Sequence, residues 1–396
     1  MSVTFARGFS VAIGEAGIRA SGGPDLVLIA SDGPAAAAAT FTTNQMRAAP
    51  VLVAADALNA TGGAARAIVV NAGCANAGTG AGGLDDARAV VAAAAAHLGC
   101  ALDEVIPAST GLIGSRLPVD AMVATIRTLE LRTSPDAGDE AARAIMTTDT
   151  RPKVRAESAR LADGREIRIG GMAKGAGMIH PQMATMLAFL TTDAPIGTSE
   201  LGAVLRPVVE RTFNQVTIDG DTSTNDAVIV LANGAAGGAP IQPGPDLEAF
   251  AEALETVCRE LAMAIAADGE GARHLIEVRV SGAADDAAAR SVARTVASSS
   301  LVKTAVHGAD PNWGRIAAAA GRSGVALDPE RMRICIGDVR VFDGAPLDFD
   351  EAAAQASLGE PVVRLILDLA DGDGSGTAWG CDLSAEYVAI NSEYTT

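Results

Sequence analysis

Apolar positions along this chain follow two periods. Short apolar runs, most of them rich in β-branched residues, occur at residues 25–30, 51–54, 67–71, 166–169, 186–190, 227–231, 275–280, 332–336 and 362–369. Runs of this length and composition predict strands. Between them lie patterns of period 3.6. The clearest joins Leu247, Phe250, Leu254, Val257, Leu261 and Ile265. Their spacings of three and four predict a helix with one buried face. Residues 84–98, 119–128, 201–213 and 284–297 carry similar patterns. Strands and helices are mixed throughout, so the expected class is α/β or α+β. No internal repeat is visible, and the Gly/Pro-rich stretch 234–245 reads as a surface loop.

One segment stands apart from this patterning. Residues 172–190 read Met-Ala-Lys-Gly-Ala-Gly-Met-Ile-His-Pro-Gln-Met-Ala-Thr-Met-Leu-Ala-Phe-Leu. A Gly-containing stretch runs directly into an apolar strand, with Thr185 at the junction and small Ala184 before it. That arrangement suits a self-cleaving enzyme with an N-terminal nucleophile. A small residue leaves space around the scissile carbonyl, and the strand fixes the hydroxyl. Once freed, the α-amine of the threonine acts as general base for its own hydroxyl. Such an amine titrates near ~8 and needs no histidine. On residue type alone, the commoner reading of Thr185 is a β-branched residue beginning a strand.

Other residues carry possible chemistry. Thr110-Gly111 follows an apolar run and can present a hydroxyl and a backbone N–H to one developing oxyanion, or simply form a turn. Lys174 lies among glycines close to Thr185, which suggests a site rather than a solvated charge. Glu270 sits in the tight loop Asp268-Gly269-Glu270-Gly271, where a carboxylate can hold a substrate ammonium or merely face solvent.

Three patterns lead elsewhere. Gly78-Thr-Gly80-Ala-Gly82-Gly83, with Asp103 beyond, fits a dinucleotide fingerprint, but the loop from Asn71 to Gly83 reads as too long for one. Asp371-Gly-Asp373-Gly-Ser375-Gly376 resembles a calcium loop, yet its flanks read as strands and predict a hairpin turn. His97, His180, His274 and His307 are scattered, without the spacing of a zinc hydrolase or a serine triad.

The chain of 396 residues carries a formal charge of −18. That opposes nucleic-acid binding and anionic membranes. Five cysteines without a Cys-x-x-Cys pair suggest neither a disulfide framework nor a zinc site. The N-terminus lacks a signal-peptide pattern, and no apolar run approaches a membrane span, so a cytoplasmic enzyme is expected.

A resemblance sharpens these readings. The 172–190 segment is similar to the processing site of the ornithine acetyltransferases, also called glutamate N-acetyltransferases. Further motifs follow in that family's order. They include Gly17-Ile-Arg-Ala-Ser-Gly22, Ala108-Ser-Thr-Gly-Leu-Ile-Gly114, Ile145-Met-Thr-Thr-Asp-Thr150 and Ile218-Asp-Gly-Asp-Thr-Ser-Thr-Asn-Asp226. Ala267-Asp-Gly-Glu-Gly271, Asp310-Pro-Asn-Trp-Gly-Arg315 and Asn391-Ser-Glu-Tyr-Thr-Thr396 complete the series. The resemblance implies an N-terminal-nucleophile-hydrolase-like sandwich, with helices covering paired β-sheets. It implies cleavage at Ala184–Thr185 into an α-chain (1–184) and a β-chain (185–396), assembled as a heterotetramer of two of each. It implies Thr185 as nucleophile and Thr110 with Gly111 as oxyanion hole. Thr147 (or its neighbour Thr148), Lys174, Thr185, Glu270, Asn391 and Thr396 are implied to contact substrate. The implied reaction moves an acetyl group from N-acetylornithine to glutamate, with no cofactor or metal and possible use of acetyl-CoA. The alternatives are an amidase or deacetylase passing the acetyl group to water, and an uncleaved, non-catalytic binding relative.

Overall fold

A computed structural model describes residues 2–180 and 186–393. Two sheets carry the fold. The first is built from β1 (Phe9–Gly14), β2 (Leu26–Phe41), β3 (Ala64–Cys74), β4 (Val105–Leu112), β5 (Lys153–Arg160), β6 (Glu166–Lys174), β7 (Leu187–Thr192) and β8 (Ala227–Ala232). Its order is β4-β3-β2-β8-β7-β6-β5, with β1 also paired to β2. The long strand β2 serves both halves. Its residues 26–30 and 35–36 pair with β3, with a register shift between those two stretches, and its residues 36–41 pair with β8. The second sheet has the order β11-β10-β12-β9-β13. Its strands are β9 (Leu275–Ala283), β10 (Arg333–Ile336), β11 (Val339–Asp343), β12 (Val362–Asp368) and β13 (Gly374–Cys381).

Helices cover these sheets, giving the layered, mixed α/β architecture expected. On the first sheet lie α1 (Ala49–Thr61), α2 (Gly80–Leu98), α3 (Val119–Ile126), α4 (Pro135–Ala144), α5 (Thr198–Arg211) and α6 (Pro245–Ala266). Period-2 alternation divides the strands between two cores. Val228 and Val230 of β8 join the cluster formed with α5 and α6, while Ile229 and Leu231 join the one formed with β2, β3 and α4. The predicted stripe from Leu247 to Ile265 is one face of α6. On the second sheet, α7 (Asp286–Ala297), α8 (Ser300–His307) and α9 (Trp313–Gly321) bury a third cluster. Helix α10 (Glu351–Leu358) follows, and α11 (Ala385–Glu393) ends the described chain.

Three local expectations are corrected. Residues 51–54 are not a strand but the first turns of α1. Pro50 starts that helix, and Gly62 in the left-handed region (φ 63°) stops it. These boundary signals outweigh the β-branched pair Val51 and Val53. The loop at 369–373 is not a hairpin, because β12 and β13 flank β9 on opposite sides. The connection crosses the end of β9 instead. The loop after Asn71 is short, since β3 continues to Cys74 and α2 starts at Gly80. Even so, Asp103 lies beyond the far end of α2 from the glycines, and a Cβ on Gly82 would meet the Arg116 guanidinium at 2.2 Å.

Candidate active site

The site starts at the C-terminal end of β4. Strands β3 and β4 run parallel, and Gly111 faces Gly73 across them. Gly111 has φ 130°, and a Cβ there would sit 2.2 Å from the Gly73 carbonyl carbon and 2.5 Å from Cys74 N. Only glycine satisfies both the dihedral and the close approach. Buried amides brace this corner. Ser109 Oγ donates to Asn71 Oδ1 at 2.6 Å, and Asn71 Nδ2 donates to Cys74 O at 2.8 Å. Asn225 Nδ2 donates to Ala75 O (2.7 Å) and to Ser109 O (2.9 Å). The Ser109 carbonyl just before Thr110 and the facing end of β3 are therefore held by hydrogen bonds shielded from water.

Lys174, the last residue of β6, reaches this corner from the neighbouring half of the sheet. Its Nζ donates to Thr147 Oγ1 at 2.6 Å and to Thr110 Oγ1 at 3.2 Å. Asp149 Oδ2 stands 3.9 Å away. Burial pushes the Lys174 ammonium toward the neutral form, and the Asp149 carboxylate opposes this. Behind Lys174 lies a buried ionic network. Lys153 Nζ donates to Asp149 Oδ1 at 2.6 Å and to Asp268 Oδ2 at 2.5 Å. Asp149 also accepts from Gly175 N (2.7 Å) and Thr147 N (3.0 Å). Asp268 accepts from the backbone N–H and the hydroxyl of Thr150. Burial alone would raise the Asp149 carboxyl, but Lys174 and Lys153 outweigh it and hold it down at about 2.

A third wall comes from the loop after α6 and from α11. Glu270 N donates to Ala176 O at 3.0 Å, and Asn391 Nδ2 donates to Glu270 Oε2 at 2.7 Å. The Glu270 carboxylate lies over Gly177, where a Cβ would meet it at 2.5 Å. Asp219 accepts from Met178 N (2.5 Å), Ile179 N (2.8 Å) and Asp221 N (3.2 Å), and burial raises its carboxyl above the usual range. Tyr387 on α11 lies close to Asp219, and burial with the nearby carboxylates pushes its phenol upward. His180 makes a structural contact, Nδ1 to Thr217 Oγ1 at 3.0 Å, and its carbonyl accepts from Thr222 Oγ1 at 2.9 Å.

These walls enclose a cavity of about 530 Å³. Thr110, Gly111, Thr147, Thr148, Lys174, Glu270 and Asn391, all singled out from sequence, line it together. Of the two threonines left open, Thr147 is the one bonded to Lys174. Ala184, Thr185 and Thr396 lie outside the described residues, but Ile179 and Met186 line the same cavity. Asp219 and Tyr387 also line it and were missed, as was the Asp149–Lys153–Asp268 network behind it. One signal for the network was present. The chain has only three lysines, and Lys153 and Lys174 are two of them. Among the described residues, no group of three or more His, Cys, Asp or Glu side chains is arranged to hold a metal ion, and no helix is long and apolar enough to cross a membrane.

Residues 10–396 match the sequence profile of the ArgJ family. The chain belongs to the ArgJ family. It is 51% identical to the arginine biosynthesis bifunctional protein of Thermosynechococcus vestitus, covering 100% of this chain and 98% of that protein. It is 50% identical to the protein of that name from Thermus thermophilus, covering both chains completely. The crystal structure of the arginine biosynthesis bifunctional protein from Bacillus halodurans is 47% identical, with a TM-score of 0.51, over 52% of this chain and 98% of that one. This ArgJ-family chain is accordingly an enzyme of arginine biosynthesis, of the acyltransferase class.

Proposed function

We propose that this ArgJ-family enzyme transfers the acetyl group of N-acetylornithine to glutamate through an acetyl ester on Thr185. The observation that carries the reading is convergence. Thr110 with Gly111, Lys174 with Thr147, and Glu270 with Asn391 come from separate elements and line one cavity. Met186, the residue covalently next to Thr185, lines it too. A cavity holding one lysine among the carboxylates of Asp219, Asp221 and Glu270 suits small substrates bearing both amines and carboxylates.

In this reading the chain first cleaves itself between Ala184 and Thr185, giving chains 1–184 and 185–396, which assemble as two of each. The free amine of Thr185 takes the proton of its own hydroxyl, which attacks the amide carbonyl of N-acetylornithine. Thr110 and Gly111 donate to the developing oxyanion. The amine returns the proton to the departing ornithine nitrogen. The glutamate amine then attacks the ester, Thr185 recovers its proton and N-acetylglutamate leaves.

The test is a burst experiment. N-acetylornithine alone should release about one ornithine per site and then nearly stop, with about 42 Da added to the chain beginning at Thr185. Glutamate should restore turnover. Steady ornithine release that ignores glutamate would identify a deacetylase and overturn the proposal. An uncut wild-type chain that still transfers acetyl groups would overturn the role of Thr185.

A further inference from the structure

The chain has three lysines against 27 arginines, and all three lysines are buried. On a solvated surface the two cations are nearly equivalent. At a buried position they are not, because an ammonium is compact and readily changes its charge, whereas a guanidinium is broad and stays charged. The charge of Lys174 has a direct geometric consequence. A protonated lysine has three N–H donors and no acceptor. The Thr147 and Thr110 hydroxyls beside it must then accept. Each hydroxyl has a single proton, which is left to point away from Lys174. For Thr110, which lines the cavity, that proton is free to point into it. A neutral Lys174 amine would present a lone pair and draw the Thr110 proton toward itself. The same distance would then hold a hydrogen bond of opposite sense, and the cavity would lose a donor.

We propose that Asp149 is a positioning residue for acyl transfer, holding Lys174 as an ammonium so that the Thr110 hydroxyl keeps donating into the cavity. The inference rests on the reading of Thr110 as an oxyanion donor. Asp149 does not line the cavity, so it acts only through its neighbours. The charged groups facing Lys174 are Asp149 before β5, Lys153 in β5, Asp226 before β8 and Glu270 after α6. Burial, the largest influence, and Lys153 favour the neutral amine and leave Lys174 easier to deprotonate than a free lysine, while the three carboxylates favour the ammonium, Asp149 most strongly. Asp149 is also fixed in place and charge. It is bonded by Lys153, Gly175 N and Thr147 N, and is held ionised down to about 2. One carboxylate thus positions the backbone at Thr147 and at Gly175 while facing the ammonium between them.

Because the chain has so few lysines, the charge of Lys174 is directly measurable. Protein grown with lysine carrying ¹³C at Cε gives three signals, assignable with Lys174→Met and Lys303→Met. In the wild type the Lys174 signal should keep its protonated position through neutral pH. In Asp149→Asn its midpoint should fall by about one pH unit or more, the least effect expected of an opposite charge within ~4–6 Å. The alkaline limb of acetyl transfer should fall with it. Asp268→Asn disturbs the same buried network through Lys153 without facing Lys174. It should lower stability and leave both midpoints nearly in place, which a merely structural role for Asp149 would not distinguish. An unmoved Lys174 midpoint in Asp149→Asn overturns the proposal, as does a transfer profile that ignores a moved one. If Asp149→Asn does not fold, the wild type decides, since a Lys174 signal already neutral at pH 7 overturns the proposal. A wild type that transfers no acetyl group would sink the functional reading alone, because the lysine titration needs no turnover.

Discussion

Replacing Lys153 by methionine tests the ionic network behind the cavity. The side chain is 1% exposed and lies between Asp149 (0%) and Asp268 (3%). Methionine fills similar space and removes the ammonium that both carboxylates share. Stranding a buried charge in this way costs about 3–5 kcal/mol. Asp149 gives an independent scale. Its carboxyl is held from 3.8 down to about 2 despite burial, a difference of about 2 kcal/mol shared between Lys153 and Lys174. The second bond, to Asp268, brings the expected loss at pH 7 into the same 3–5 range. The sign with pH also follows. In the wild type, a depressed carboxyl stabilises the fold above its unfolded range, and this is lost as pH falls through about 2. In Lys153→Met the Asp149 carboxyl loses one of the groups that hold it down, while Lys174 at 3.9 Å and the Gly175 N–H remain, so its folded value rises toward the unfolded one. The wild type then loses more of this stability on acidification than the variant does, and the loss caused by the substitution shrinks as pH is lowered from 7 to about 3. Urea unfolding of both proteins in a Thr185→Ala background, where a single chain unfolds, measures the difference at each pH. A loss below about 1 kcal/mol at pH 7, the level of an exposed ion pair, or one equal at both pH values, would refute this reasoning.

Two substitutions at β4 complete the set. Gly111→Ala must either bend β4 away from Gly73 or rotate the peptide out of φ 130°. It should lower kcat by about 10²–10³-fold and stability by about 2 kcal/mol or more, read by steady-state rates and unfolding midpoints, and a fully active, stable variant would remove the geometric argument. Thr110→Ala should slow acetyl transfer by about one to three orders of magnitude and slow self-cleavage as well. Unchanged kcat in the folded variant would take Thr110 out of the mechanism.

The sequence made some parts of this molecule easier to read than others. Helix α6 was legible because its apolar stripe continues through the whole helix. Strands β7, β8, β9 and β12 were legible because each is a short apolar run. Strand β2 was legible only to Ala30, because its second half, Ala35–Ala39, is all alanine and carries no strand signal. Pairing with β3 and β8 makes it a strand. At the site, residues whose neighbours suggested a role were found, whereas Asp149 and Asp268 stood inside quoted motifs with no role assigned and Lys153 stood outside any motif. Isolated charged residues in sequence read as solvated. What makes these three unusual is burial and mutual pairing, with Lys153 and Asp268 115 positions apart, a relation no local pattern carries.

The order of the first sheet has a consequence for assembly. Strands β7 and β8 are inserted between β2 and β6, both of which precede them in the chain. A break anywhere in the connection between β6 and β7 would leave two polypeptides woven through one another, joined along the β2–β8 and β6–β7 edges. Neither piece would hold the first sheet complete, and each would expose long unpaired edges of it if released. The pieces would therefore part only when the sheet is dismantled. Halves produced separately would have to fold upon each other from the start, and could not dock as finished bodies.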